Sequence, residues 1–395
     1  MLRRLQHMSI TFEGVVYLLV MGIVLTAAVI RQINLLMILY GVMAGPLLLS
    51  WRLVRGAVRD LDVVRRLPKT VFADQTFSVD IELTNRKKRG GTFSIWIRDE
   101  LERRGAAGEK PIACDVYFPY VAKGAAATAT YQGMLNRRGV YTFQPVKISS
   151  RFPLGLLRTM IRVDKPHKLI VFPSIGKLSP VWHRLLATDG DGVGGRQRTQ
   201  LAADGDFYGL REWRDGDSRA RIHWRTTARR QSPTVRQFER RKKSELILFV
   251  DLWEPKNPAP EDKSRVEDVI RFAATALCEF CREPGRKMRL ELIAKTSRSF
   301  RSVSSQQTLH EALKLLAAAE PTREDRLPGA LNDAIDVLER SGGCVIAATR
   351  KTDLMDRERF AAVWKRPESK TSLGRITTLS PVDANWRELF DSGAA

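Results

Sequence analysis

Hydrophobic positions follow three different regimes along the chain. The first is continuous. Gly14 to Ile30 carries no charged side chain, and after Arg31-Gln32 the run Ile33 to Trp51 has Asn34 and Ser50 as its only clearly polar residues. A hydrocarbon core of about 30 Å takes roughly 17–25 apolar residues in a helix. The pattern therefore predicts two transmembrane helices, over about 14–30 and 33–51, joined by a tight turn. A signal peptide fits poorly, because the second run follows at once and no small-residue cleavage site separates the two. A buried core hairpin in a soluble domain is the other reading of the same pattern.

From Leu61 to about Val163 the period falls to two. Phe77, Val79, Ile81 and Leu83 alternate with polar residues, and Phe93, Ile95 and Ile97 do the same after the turn-prone run Asn85 to Gly91. Further strands are expected around Asp115 to Val121, Ala127 to Leu135, Tyr141 to Phe143 and Val146 to Ile148. Short strands at such spacing predict an antiparallel, immunoglobulin-like β-sandwich.

The third regime alternates continuous strands with amphipathic helices. Glu245 to Asp251 reads ELILFVD, and Val266, Val269, Ile270, Ala273, Leu277 and Phe280 then recur at helical spacing. Met288 to Ala294, Cys344 to Ala348 and Ile376 to Leu379 read as strands. Helices are expected over Leu309 to Leu316, after a Ser304-x-x-Gln307 capping box, over Leu331 to Leu338, and over Leu354 to Trp364. This order predicts a mostly parallel sheet covered on both faces. The expected fold class is a membrane-anchored α+β multidomain chain: a hairpin (1–58), a β-sandwich (59–168), a junction segment (169–243) and an α/β domain (244–395).

Charge adds an orientation. The 395 residues carry 66 Lys+Arg against 44 Asp+Glu, a net +22. Residues 1–66 hold eight arginines against three acids, with Arg3 and Arg4 before the first run and Arg52, Arg55, Arg59, Arg65 and Arg66 after the second. By the positive-inside rule both flanks, and hence both termini, face the cytoplasm. The four scattered cysteines (Cys114, Cys278, Cys281, Cys344) exclude a disulfide-stapled secreted scaffold. Residues 205–243 hold twelve basic against five acidic side chains. Basicity is thus shared between topology and one arginine-rich segment, and no nucleic-acid-binding fold accompanies it.

That segment is the most informative part of the sequence. Between 205 and 239 stand Gly205, Phe207, Leu210, Arg211, Glu212, Trp213, Gly216, Asp217, Arg219, Ile222, Trp224, Ala228, Arg229, Val235 and Phe238. With Arg138-Gly139-x-Tyr141, Phe152-Pro153-x-Gly155-Leu156 and Val171-Phe172-Pro173 upstream, these residues resemble the domain of unknown function 58 family. Two positions depart from its pattern: Asp206, where a glutamate is usual, and His223, where an aspartate usually precedes the tryptophan. Arg214 to Asp217 reads as a turn. Arg211, Glu212, Asp217, Arg219 and Arg229 bring both signs of charge together, with Trp213 and Trp224 placed to cover them from water. Two readings stay open: an arginine–carboxylate clamp between domains, or a site where arginines bind an anion or a partner bidentately.

The resemblance implies a von Willebrand factor A-like C-terminal domain, a class that often holds a divalent metal through Asp-x-Ser-x-Ser. Here the first strand ends Asp251-Leu252-Trp253-Glu254-Pro255, so only Asp251 is left as a weak metal candidate, and Arg350 stands near a further ligand position. No metal and no cofactor are expected. The five histidines show no HExxH spacing, and no Gly-x-Ser-x-Gly elbow is present. Gly190-x-Gly192-x-x-Gly195 and Asp189-x-Asp191 match nucleotide and calcium fingerprints only formally, and Cys278-x-x-Cys281 reads as core packing. The family resemblance implies a membrane-anchored, non-enzymatic adaptor of the bacterial inner membrane. Its implied partners are a MoxR-type AAA+ ATPase and von Willebrand A-like proteins, and it would contact lipid through the hairpin. The alternative is a hydrolase or transferase using the Arg/Asp cluster of residues 205–239.

Overall fold

The computed structural model describes residues 6–105, 108–182, 206–215, 217–239, 245–338, 344–366, 373–374 and 376–391. The chain divides into two compact units, residues 1–174 with 313–318 and residues 175–312 with 319–395.

In the first unit a short strand, β1 (Gln6–Ile10), leads into two apolar helices, α1 (Phe12–Arg31) and α2 (Asn34–Ala57). Thr11 caps α1 by accepting from the Gly14 N–H at 3.0 Å. Gln32, in the left-handed region at φ 51°, turns the chain between the helices. Leu19, Ile23, Leu35 and Ile38 on these helices are exposed.

Strands β2 (Leu61–Arg66), β3 (Val71–Phe72), β4 (Thr76–Asn85), β5 (Thr92–Arg103), β6 (Ile112–Val121) and β7 (Ala126–Met134) follow. The set continues with β8 (Gly139–Phe143), β9 (Val146–Ser150), β10 (Leu157–Val163) and β11 (Lys168–Phe172). One sheet runs β1-β10-β9-β5-β8-β11-β3 with β6 also on β5; the other runs β2-β4-β7. Val63, Val79, Ile81 and Leu83 from the smaller sheet meet Ile95, Ile97, Phe118, Ile148 and Ile161 from the larger in one core. This two-layer β-sheet domain is antiparallel except at β11–β3, which pair in parallel.

Three features differ from the sequence expectation. Residues Gln6–Ile10 precede the hairpin yet pair with β10, so the 1–58 segment contributes a strand to the sheet. The sheet also continues past 168, through Phe172. Phe93 does not share a face with Ile95 and Ile97: Ser94 sits at φ +48°, which shifts the side-chain phase and leaves Phe93 exposed.

The second unit is built on a five-stranded mixed sheet. Its strands are β15 (Leu246–Asp251), β16 (Lys287–Ile293), β17 (Arg298–Val303), β18 (Cys344–Ala348) and β19 (Ile376–Leu379), in the order β17-β16-β15-β18-β19. All pairs are parallel except β16–β17. Every residue of β15 is buried, as expected of a central strand covered on both faces. The helix Pro260–Phe280 buries Val266, Val269, Ile270, Ala273 and Leu277. The helix Leu327–Leu338 packs Leu331, Ile335 and Leu338 against Ile247, Phe249 and Ile346 on one face of the sheet. Trp182, Phe272, Trp386 and Phe390 form an aromatic cluster with ring centroids 5.2–5.6 Å apart. The short strand β12 (Lys177–Leu178) also pairs with β20 (Phe390–Asp391).

The edge strand β17 was not among the expected elements, because RSFRSV lacks a continuous apolar run. Leu354 to Trp364 is helical only over Ala361–Trp364. The helix Gln306–Ala317 is capped by Ser305, which accepts from Thr308 N–H at 3.1 Å. Ser304 instead accepts from Arg286 N–H and donates to the Glu283 carbonyl.

Candidate functional site

The signature segment folds locally. Strands β13 (Asp206–Glu212) and β14 (Thr234–Glu239) form an antiparallel pair, and between them lie a single 3₁₀ turn (Arg219–Arg221) and a short helix (Trp224–Arg230). Arg211 donates to both Asp217 oxygens, Nη1 to Oδ2 at 2.7 Å and Nη2 to Oδ1 at 2.6 Å, while Arg214 N–H donates to the same carboxylate at 2.9 Å. The bidentate hydrogen bond from Arg211, with the Arg214 amide behind it, holds the Asp217 carboxyl below the usual carboxylate range. Asp217 is therefore an acceptor already filled, poorly suited to take a proton from a substrate. Trp213 N–H and His223 N–H donate to the carbonyls of Pro233 and Thr234, tying the intervening turn to β14.

His223 caps the short helix. Its Nδ1 accepts from Thr226 N–H at 3.3 Å and lies 2.8 Å from Thr226 Oγ1. The imidazole thus does at this position what a carboxylate or hydroxyl does at most helix starts. Trp224 does not shield the charged residues, because its side chain is 69 % exposed. Glu212, Arg219 and Arg229 are exposed as well, and Trp213 is half-buried with its indole nitrogen unpaired. Gly216, Gly205, the Gly190–Gly195 and Asp189–Asp191 motifs and the basic run Arg240–Lys243 lie outside the described residues.

A second charged cluster sits at the carboxyl ends of the mixed sheet. There β15 neighbours β18, the point at which the strand order reverses and where open α/β sheets form a crevice. Asp251 ends β15, is fully buried, and has neither carboxylate oxygen in a hydrogen bond. Burial pushes its carboxyl up to about 6; Arg350 pulls in the opposite direction and Asp325 adds to the rise. Asp325 is held by two guanidiniums, with Arg350 Nη2 at 2.6 Å and Arg359 Nε at 2.8 Å. Its partial burial would raise its carboxyl, but Arg359 and Arg350 together outweigh that and hold it below the usual range. Arg350 also stacks over Trp253 with its guanidinium carbon 4.3 Å from the ring centroid. Thr349 locks the two strand ends together: its N–H donates to Asp251 C=O at 3.2 Å and its hydroxyl to Trp253 C=O at 2.5 Å.

The orphaned Asp251 oxygens are the observation that bears on a metal. A hard divalent cation needs several converging oxygen ligands. Among the described residues no group of three or more Asp, Glu, His or Cys side chains converges. The groups around Asp251 are two arginines, and the next carboxylate, Asp325, is already saturated by them. This donor set does not fit a divalent ion. The sequence singled out Asp251 and noted Arg350; it missed Asp325 and Arg359, which come from a loop and a turn with no recognisable spacing to either.

Cys278 and Cys281 are half-buried and buried at the end of the Pro260–Phe280 helix, and desolvation raises both thiols, Cys278 to about 11. Both are poor nucleophiles as a result.

Residues 209–383 match the family model described as "Protein of unknown function DUF58". A curated relative, the uncharacterized protein YeaD of Bacillus subtilis (strain 168), is 24 % identical over 221 residues, covering 56 % of this chain and 51 % of that protein. The chain thus spans about half the length of the curated relative it matches. Among solved structures, the CARDB domain of PF1109 from Pyrococcus furiosus overlaps 27 % of this chain and 93 % of its own, with 12 % identity and a TM-score of 0.18. A superoxide reductase (neelaredoxin) variant from Ignicoccus hospitalis overlaps 26 % of this chain and 79 % of its own, with 22 % identity and a TM-score of 0.17. The hairpin of β13 and β14, the buried Asp251 and the Arg350–Asp325–Arg359 cluster all fall within or at the edge of one recognised region: residues 209–383 of this chain are a DUF58 family domain.

Proposed function

We propose that this chain is a membrane-anchored, cytoplasm-facing, non-enzymatic adaptor. It works with a MoxR-type AAA+ ATPase and von Willebrand A-like proteins in assembling complexes at the bacterial inner membrane. Two apolar helices of 20 and 24 residues supply the anchor, and Arg52 and Arg55 near the end of the second, with Arg59 just after it, mark the side retained in the cytoplasm. The sheet order, with the first strand central, supports a von Willebrand A-like reading of the second unit. Its strand-end loops, around Asp251 to Pro258 and Thr349 to Asp353, present the partner-binding face.

The single observation that carries this reading is the Arg350–Asp325–Arg359 cluster beside Asp251. Where such a domain would need open oxygen ligands to engage a ligand through a metal, this chain offers arginines, one of them stacked on Trp253. Arginine on an aromatic face, next to a carboxylate, is the composition of a protein-recognition point. The competing hydrolase or transferase reading needs Asp217 as a free acid or base, and Arg211 occupies it from both oxygens.

The test is affinity purification of the tagged full chain from detergent-solubilised membranes. An AAA+ ATPase or von Willebrand A-like protein should co-purify with the wild type and be lost with Arg350→Gln, which removes the charge, circular dichroism checking that the variant is folded. If neither co-purifies with the wild type, the adaptor reading fails.

A further inference from the structure

The β-sheet domain of the first unit meets the two apolar helices through close contacts at their bases. Thr11, the cap of α1, donates its N–H to Leu156 C=O at 3.1 Å and has its hydroxyl 2.6 Å from the Gly155 carbonyl. Gly14, one turn further, lies so near this loop that a Cβ there would stand 2.1 Å from the Leu156 oxygen. At the other helix, the Ala57 carbonyl accepts from Thr92 Oγ1 at 2.7 Å and Lys87 Nζ at 2.8 Å. Val54 on α2 packs with Leu156 and Leu157.

Helix length then sets a depth. At 1.5 Å per residue, the 20 residues of α1 span about 30 Å, the whole hydrocarbon thickness, so Phe12 stands at its boundary. Twenty residues from Asn34 likewise end at Leu53, leaving the last turn of α2 outside, where Arg55 stacks over Trp51 at 4.0 Å. Whatever touches Thr11, Gly14 and Ala57 must then lie within the headgroup layer. The surface at that level has the right chemistry. Phe93 stacks on Phe152 at 4.9 Å and meets Tyr120 at 4.7 Å. Phe93, Tyr120 and Leu154 are all roughly half exposed, while Arg151, Lys88 and Arg89 beside them are exposed cations. Aromatic and aliphatic side chains interleaved with cations are what an anionic membrane interface takes up.

We propose that Phe93, Tyr120, Phe152 and Leu154 form a rim that inserts into the headgroup layer of the bilayer carrying the hairpin, so that this domain is seated in the membrane surface and does not hang free on a stalk. The inference rests on the membrane-anchor reading above, and goes beyond it by naming a lipid-binding surface on the β-sheet domain.

The test uses the full chain in phosphatidylcholine/phosphatidylglycerol nanodiscs, with Cys114→Ser/Cys278→Ser as background, which leaves only the buried Cys281 and Cys344, and an environment-sensitive fluorophore on single introduced cysteines. Leu154→Cys and Phe93→Cys probe the rim from two elements, Ile23→Cys probes mid-helix, and Lys110→Cys probes the opposite end of β6. Rim labels should shift to the blue and lose most of their emission to headgroup-nitroxide lipid. The label at 23 should be quenched by lipid brominated in the acyl chain, and that at 110 by neither. A quenched label at 23 with solvent-exposed, unquenched labels at 154 and 93 overturns the rim while leaving the anchor intact. An unquenched label at 23 overturns the anchor and the rim together.

Discussion

Arg65 and Asp99 form a fully buried ion pair inside the β-sheet domain, with Nε to Oδ2 at 2.9 Å and Nη2 to Oδ1 at 2.5 Å. Tyr131 donates its hydroxyl to Asp99 at 2.8 Å, the Arg65 guanidinium lies 4.1 Å from the Phe143 ring centroid, and its Nη1 reaches the Lys165 carbonyl at 3.2 Å. Both charges are thus paired and hydrogen-bonded, the condition under which a buried pair is tolerated. Removing only one partner strands the other. Arg65→Met should destabilise the domain by about 3–5 kcal/mol. The double variant Arg65→Met/Asp99→Leu should recover most of that loss. Denaturant unfolding of the four members of this cycle measures the coupling, and additive losses would show that the two residues do not act as a pair.

Asp251 gives a pH dependence whose sign follows from burial. Its folded carboxyl titrates near 6, above the unfolded value, so the folded state holds the proton more tightly. Stability should therefore fall as pH rises through about 4 to 6, and the penalty should persist above that. A shift of this size corresponds to on the order of 2–3 kcal/mol. Asp251→Asn should raise the melting temperature at pH 8 and change it little at about pH 3.5, below the unfolded value. Thermal unfolding at the two pH values checks this, and an equal shift at both would remove burial of the charge as the cause.

Much of this architecture was legible because strong periodicity has one physical cause. Strand β15 and the helix Pro260–Phe280 are buried where their apolar positions recur, and β4 alternates from Val79 to Leu83 as its pattern required. What escaped depended on partners distant in sequence. Arg65 reads as one of the cytoplasmic flank charges, yet it is spent inside the core on Asp99, 34 positions away. Gln6–Ile10 has no strand signal of its own and becomes one only against β10. Ser304 reads as the helix cap by its spacing to Gln307, but the Arg286 amide, 18 positions away, claims its hydroxyl and Ser305 caps instead. At the site, Asp251 was visible as the end of an apolar run, whereas Asp325 and Arg359 gain their meaning only from the Arg350 guanidinium between them.

His223 offers a local test of the signature segment. Its ring nitrogen caps the helix Trp224–Arg230, and Asp at this position supplies a carboxylate oxygen for the same N–H. His223→Asp should keep the helix, whereas His223→Ala should cost about 1 kcal/mol and speed amide exchange over Thr226 and Thr227. Hydrogen exchange of the three proteins distinguishes these outcomes; identical protection in all three would mean that the cap contributes nothing.

Gly14 tests the seating of the β-sheet domain on the hairpin. A methyl group there meets the backbone oxygen of Leu156 at 2.1 Å and the Ile10 side chain at 2.9 Å, and a backbone atom cannot swing aside as a side-chain tip can. Gly14→Ala must therefore push the 152–156 loop away from α1, breaking the Thr11 bonds to Gly155 and Leu156. Gly22 and Gly41 have open space where a Cβ would go, so Gly22→Ala, which raises helix propensity without a clash, is the matched control. In detergent, Gly14→Ala should make the segment around Arg151 to Leu157 more susceptible to limited proteolysis, at Arg151 above all. Gly22→Ala should match the wild type. Equal cleavage of all three proteins would mean that the loop yields at no cost, and the close packing at Thr11 would then not be what holds the domain to its helices.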